Sequence, residues 1–333
     1  MKMMHNLEEL LTGVKRVAVA GHIKPDGDCT GSCLATYNYI KEYHPDIQAG
    51  IYLEPIPNIF KFLSRADEII SDLTNFPETD LLIVQDCGDA GRLGKAAQLI
   101  QKAKRVACID HHISNTGFGD DSYIFPKASS TSELVFDLIG AERLTRQIAE
   151  CIYVGLIHDT GLFQYSCTSP KTMRTAAILM EMGIDFSGIA DRTYVQKTYE
   201  QHQILAKAIE KSKLHLDGAC ISSIITQSEM EACHVLPKHL EGIVSQLRST
   251  KGVEAAVFFY PKDEGGYKIS FRSSSDAINV AAIAMHFGGG GHIRAAGAST
   301  DQPPDQCLEQ ILSLIQQQLE TDDNHTRTLI QTD

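Results

Sequence analysis

No apolar run in this sequence approaches the roughly 18 residues that a membrane span requires, so nothing in it reads as a transmembrane helix. The first residues, Met1 to Val14, lack the charged start, apolar stretch and small-residue cleavage site of a secretory signal. They read as an acidic amphipathic segment. No Cys-x-x-Cys pair occurs, and the cysteines, at 29, 33, 87, 108, 151, 167, 220, 233 and 307, are odd in number. That argues against a disulfide framework or a zinc ribbon and for reduced thiols, so a cytoplasmic protein is expected. No internal repeat is visible. Positive charge is scarce: 30 Lys and Arg face 42 Asp and Glu, a formal net charge of −12. Such a chain has no broad basic face with which to hold long nucleic acid. Buried divalent cations would reverse the local potential and still admit a phosphate-bearing substrate.

What is present is ordinary globular material. The 333 residues, 43% of them hydrophobic and 22% charged, suggest about two domains. In the first half, short apolar runs at Val17–Ala20, Ile47–Tyr52, Leu81–Gln85 and Val106–Ile109 alternate with helical stretches at Thr30–Tyr43 and Ala90–Lys104. That rhythm predicts an α/β fold with a mostly parallel sheet and helices on both faces. The pattern turns helical from Ser132 to about Met182, with Ser169-Pro170 as a helix start and Gly183 as a stop. A polar helical stretch, Tyr194 to Leu214, reads as a connector. Strands at Ala219–Thr226, Val253–Tyr260 and Tyr267–Phe271, then helices at Ile278–His286 and Gln306–Leu319, predict a smaller α/β domain. The expected layout is a catalytic domain over 1–190, a helical linker over 191–215, a substrate-binding domain over 216–320 and a disordered tail over 321–333.

Chemistry-bearing residues gather directly after the strands. His22, Asp26 and Asp28 follow the first strand, where open parallel sheets put their ligands. One imidazole and two carboxylates suit Mn²⁺, Mg²⁺ or Co²⁺ better than a metal that prefers thiolate. Asp86 follows the strand Leu81–Gln85 and can bridge two metals; taken alone it is more often a solvated loop residue. Nearby Arg92 can clamp a phosphate or pair with Asp89. Asp110-His111-His112 follow Val106–Ile109. Adjacent histidines point different ways, so one can bind metal while the other faces substrate, and Asp110 can fix a ring tautomer. Asp159 ends an apolar helix, where a carboxylate opposes the helix dipole and needs a cation. His158 beside it reads either as a packing residue or as a support behind the ligands. Far along the chain, Arg272 precedes the run Gly288–Gly291 and His292. Glycine-rich backbone allows close approach of a phosphate, but no Gly-Lys-Ser/Thr follows, so this is not a Walker loop.

In this order the motifs His22-x-x-x-Asp26-x-Asp28, Asp86, Asp110-His111-His112 and Asp159 resemble those of the DHH phosphoesterase superfamily. The run Gly288–His292 is similar to the signature of its DHHA1 domain. The resemblance covers roughly residues 10 to 320. It implies two Mn²⁺ ions (or Mg²⁺ or Co²⁺), with His22, Asp26 and Asp86 on one and Asp28, Asp86, His111 and Asp159 on the other. It implies that His112 contacts the scissile phosphate and that Arg272 and His292, expected with it as catalytic residues, grip the phosphate or base of the substrate; Arg92, Gly289, Gly290 and Gly291 are expected to join Arg272 and His292 in holding substrate.

The size and layout resemble the stand-alone type, which hydrolyses short RNA oligonucleotides to mononucleotides and 3′-phosphoadenosine-5′-phosphate to AMP through a two-metal-activated hydroxide. The expected partners are short RNA or small nucleotide phosphates, with no long duplex and no membrane; homodimerisation stays open. The nearest rival is a cyclic-di-AMP or pApA phosphodiesterase. A RecJ-like single-strand exonuclease is less expected, since this chain leaves no room for an added OB-type domain and its charge gives no electrostatic funnel. A family II pyrophosphatase fits the glycine-histidine lobe less well. A silent nucleotide-binding regulator is opposed by intact residues at every motif.

Overall fold

The computed structural model describes residues 2–3, 6–74, 76–262, 265–275 and 277–330. The chain divides into two compact units, Met1–Gln196 and Lys197–Asp333.

The first unit holds β1 (Lys2–Met3), β2 (Arg16–Ala20), β3 (Gln48–Tyr52), β4 (Leu81–Gln85), β5 (Val106–Asp110) and β6 (Asp121–Ile124). They form one sheet in the order β1-β6-β5-β4-β2-β3, with every pairing parallel. All residues of β4 and β5 are buried, and successive side chains serve opposite faces. Val17, Val19, Leu81, Ile83, Ala107 and Ile109 enter one core, while Ala18, Ala20, Leu82, Val84 and Val106 enter the other. A sheet apolar on both faces must be covered on both, as parallel sheets are. The chain runs outward from β2 to β3, then crosses back to place β4 on the other side of β2. The carboxyl ends of β2 and β4 therefore flank the switch point where such sheets bind ligands.

Two helices meet above that point. Gly27–Tyr43 follows β2 and is capped by the Asp26 side chain, which accepts from the amides of Asp28 and Cys29. Arg146–Asp159 packs along it. The approach depends on Gly155, where a Cβ would run into Ser132 Oγ and lie 2.6 Å from Asp28 Oδ1. Pro170–Glu181 begins as expected, with Ser169 capping and proline in its first turn, and Gly183 follows its end with φ +72°.

The second unit is a mixed sheet of β7 (Lys213–His215), β8 (Cys220–Ile224), β9 (Ala255–Pro261), β10 (Tyr267–Ser273), β11 (Gly290–His292) and β12 (Ala295–Thr300). Its order is β11-β12-β10-β9-β8-β7, and only the β8–β9 pairing is parallel. One face packs on Val280–His286 and the start of Pro304–Ile330; the other packs on Tyr199–Glu210 and Ile243–Arg248.

Four expectations change. Residues 90–104 do not form one helix. A 3-10 stretch, Ala90–Ala97, breaks at Gly94 (φ +54°) before a short helix, Gln98–Lys102, because glycine resists helical confinement. The 191–215 segment is no free linker. Asp191–Val195 closes the first unit as a π-helical turn, while Ile204 and Ala208 of Tyr199–Glu210 are buried in the second unit's core. The terminal helix continues to Ile330, past residue 321, since extending a nucleated helix costs far less than starting one; residues 331–333 lie outside the described residues. Finally, Gly290–His292 is an edge strand paired with β12, not an open loop. A Cβ on Gly289 would run into the Gly297 carbonyl, so close strand packing itself demands glycine there.

Candidate metal centre

Each strand end delivers a different part of the centre. After β2 the backbone turns at Lys24 (φ +53°) into the helix at Gly27. This places His22 Nε2 3.7 Å from Asp26 Oδ1 and 3.4 Å from Asp86 Oδ2. Asp86, directly after β4, has a left-handed backbone (φ +53°), a conformation aspartate tolerates better than most residues. Its other oxygen lies 3.6 Å from His111 Nε2 and 3.6 Å from His112 Nδ1, and accepts from Thr131 Oγ1 at 3.1 Å. From the helix end, Asp159 Oδ2 comes within 3.0 Å of His111 Nε2, and Asp28 Oδ2 within 3.9 Å of the same atom.

The three imidazoles fall into two kinds. A backbone carbonyl only accepts, so the ring nitrogen facing one must carry the proton. His22 Nδ1 donates to Ile23 O (2.7 Å) and His111 Nδ1 to Ala128 O (3.4 Å), so both Nε2 atoms face carboxylates, where a cation would take the place of a proton. That is how metal-binding histidines are held. His112 is turned the other way. Its Nδ1 donates to Asp110 Oδ1 at 2.7 Å, and Asn115 Nδ2 donates to Asp110 Oδ2 at 2.7 Å. The Asp110 carboxylate raises the His112 pKa.

Among the described residues, three groups bring candidate ligand atoms within 4.8 Å of one another: His22, Cys29 and Asp86; Asp86, His111 and His112; and Asp28, His111 and Asp159. Asp86 belongs to two of them. The protonation balance shows how much negative charge is packed here. Burial, then the charges of Asp86 and Asp159, push Asp28 well above the carboxylate range. Burial likewise lifts Asp159 to about 6, although the hydrogen bond from His111 pulls down. Burial alone would lower the His111 pKa, but its bond to Asp159 and the nearby charges of Asp28 and Asp86 raise it to about 11. Carboxylate oxygens and imidazole nitrogens so crowded fit a divalent cation, which would take the place of those protons.

Sequence reasoning missed four contributors. The amides of Thr131 and Ser132, at the start of helix Thr131–Ile139, donate to the two oxygens of Asp28 at 2.6 and 2.9 Å. Ser130 caps that helix, and Ser130 followed by Glu133 three residues on is a readable cap signature. Asn115 and Cys29 carried no signal of their own. Arg92 holds the metal loop through its carbonyl, which accepts from the Ile23 amide at 2.8 Å. Asp89 binds the amides of Gly91 and Arg92. His158 packs edge-on against Phe60 and Tyr194, as a packing residue would. In the second unit, Arg272 lies on β10 with Nη1 donating to the Phe271 carbonyl, and His292 is exposed on β11.

Comparison with known proteins follows this geometry. A sequence model of the DHH family N-terminal domain matches residues 16–156, and one of the DHHA1 domain matches residues 231–321. A Thermus thermophilus protein named bifunctional oligoribonuclease and PAP phosphatase NrnA is 26% identical over 321 residues, covering 95% of this chain and 94% of its own. A Streptococcus mutans protein named probable bifunctional oligoribonuclease and PAP phosphatase NrnA is 30% identical over 288 residues, covering 85% and 89%. The crystal structure of an exopolyphosphatase-related protein from Bacteroides fragilis superposes with a TM-score of 0.85 at 25% identity, covering 95% and 94%.

Proposed function

The chain belongs to the DHH family, whose members are phosphoester hydrolases, and from that premise we propose that it uses two divalent cations, Mn²⁺ foremost, to degrade short RNA to mononucleotides and 3′-phosphoadenosine-5′-phosphate to AMP. The observation that carries this reading is Asp86. One carboxylate faces His22 through one oxygen and His111 through the other, at 3.4 and 3.6 Å, as a residue shared by two cations must.

In this reading His22, Asp26 and Asp86 hold one cation, and Asp28, Asp86, His111 and Asp159 hold the other. When bound, such a pair polarises phosphoryl oxygens and makes water acidic enough to supply a nucleophile at neutral pH. The protein's own groups do the rest. Thr131 and Ser132 amides fix Asp28, so its carboxylate needs no reorganisation during the reaction. Asp110, itself fixed by Asn115, holds His112 Nδ1–H, which turns Nε2 towards the phosphoryl oxygens. Arg92 in the first unit, with Arg272, Gly289, Gly290, Gly291 and His292 in the second, supplies further nucleotide contacts. The net charge of −12 favours substrates of a few nucleotides over long strands.

A substrate panel with Mn²⁺ tests both levels. The wild-type chain should release mononucleotides from an RNA dinucleotide and phosphate from pAp. Asp86→Ala should lose more than the ~10–100-fold typical of removing a partner behind a metal ligand; retained activity would overturn the shared-cation reading. Preferential turnover of pApA or cyclic-di-AMP would move the substrate to the rival phosphodiesterase class.

A further inference from the structure

Just beyond Asp159 the backbone does something costly. Gly161, Leu162 and Phe163 follow one another with φ of +56°, +55° and +65°. Two bulky non-glycine residues in succession in the left-handed region are strained, and such strain persists where the surroundings enforce it, commonly at functional sites. The loop is held by local bonds: Leu162 N to Ile157 O at 2.8 Å, Tyr165 N to Thr160 O at 2.9 Å, and Phe163 N to Thr160 Oγ1 at 3.1 Å.

Its result is the placement of one ring. Tyr165 lies so close to Gly161 that any Cβ there would run into its ring. Tyr165 is 46% exposed, and its hydroxyl is 3.4 Å from that of Tyr194. Tyr194 meets His158 edge-on at 5.5 Å, and His158 lies where a Cβ on Gly27 would be, between Asp26 and Asp28. One end of the aromatic chain thus rests on the turn that directly follows Asp159 and the other lies against the Asp26–Asp28 turn, all within the first unit. A core ring would be buried, and a random surface tyrosine would not need three consecutive left-handed residues.

We propose that Tyr165, braced by Tyr194, is the stacking platform for a nucleobase of the substrate next to the scissile phosphate. This rests on the nucleotide-hydrolase reading above. The chemistry suits an acidic protein: a π-face grips any base, needs no basic groove, and is tolerant of sequence. Base–aromatic stacking of ordinary strength corresponds to about a tenfold to hundredfold change in affinity.

The test is steady-state hydrolysis by the full chain with Mn²⁺, comparing an RNA dinucleotide with the same molecule made abasic at one or the other position. Tyr165→Ala should raise KM for the intact dinucleotide about tenfold to hundredfold while kcat changes little, and the penalty should shrink to within about twofold on one of the abasic substrates. Tyr165→Phe, which keeps the ring, should stay within about threefold of wild type and controls for misfolding. Equal penalties on intact and both abasic substrates, or no KM change, would overturn the platform while leaving the hydrolase reading intact. Failure of the wild-type chain to cleave any nucleotide would instead refute that reading itself.

Discussion

Replacing Asp110 by asparagine should cripple the enzyme without emptying its metal sites. The Asp110 side chain is fully buried and accepts from two donors at once, His112 Nδ1 and Asn115 Nδ2, each at 2.7 Å. An asparagine has one oxygen and one NH₂. Whichever donor meets the oxygen, the other meets a donor. If the oxygen serves Asn115, the imidazole must present Nδ1 as an acceptor; if it serves His112, two NH₂ groups collide in a buried place. Losing a charge-assisted bond costs about 1.5–3 kcal/mol, which at about 1.4 kcal/mol per decade is roughly a tenfold to hundredfold loss in kcat. His22, His111, Asp28, Asp86 and Asp159 are untouched, so Mn²⁺ affinity by calorimetry should stay within about threefold. The sharper check is the double variant Asp110→Asn/Asn115→Asp. There the new carboxylate at position 115 accepts the amide NH₂, the amide oxygen again accepts from His112, and the bond from Gly117 N survives. The weaker donations from position 115 to the Cys87 carbonyl at 3.2 Å and to Cys108 Sγ at 3.4 Å are lost. About a tenfold recovery of kcat over the single variant is expected. A single variant with wild-type kcat, or a double variant worse than the single, would refute the assigned hydrogen-bond roles.

Two further outcomes follow from the same centre. Gly155→Ala puts a methyl into Ser132 Oγ and Asp28 Oδ1; overpacking of about 1–3 kcal/mol should lower Tm by several degrees and weaken Mn²⁺ binding, and an unchanged Tm would show that the helices can part freely. EDTA-stripped protein should lose stability as pH rises from about 4 towards 6, because burial lifts Asp159 from 3.8 to about 6 and the folded state then holds a proton the unfolded chain releases. Mn²⁺ replaces that proton, so the Tm increment it gives should grow from pH 5 to pH 8 in thermal melts; a flat increment would contradict this.

The candidate ligands were legible because most of them stand immediately after an apolar strand, and the strands announce themselves through continuous burial. Asp159 was legible because a carboxylate at a helix end lacks a natural partner. What was not legible is what faces these residues. Thr131 and Ser132 lie more than a hundred positions from Asp28 in sequence, and a cap signature tells where a helix begins but not which side chain its free amides meet. The strand Asp121–Ile124 is too short for a period to emerge, and Ala295–Thr300 is built of residues with weak strand preference. The edge strand at Gly290–His292 was hidden for a related reason: glycine marks close backbone approach, and a neighbouring strand makes the same demand as a phosphate.

The centre also has a history in time. His22, Asp26 and Asp28 leave the ribosome early, Asp86 and the paired histidines later, and Asp159 last, at the end of a helix whose docking depends on Gly155. At ~5–20 residues per second, on the order of ten seconds separate the first ligand from the last. During that interval a nascent chain carries only part of the proposed ligand set, without the carboxylate of Asp159. The second cation proposed above, whose ligands run from Asp28 to Asp159, therefore has its full ligand set only once synthesis has passed the end of that helix.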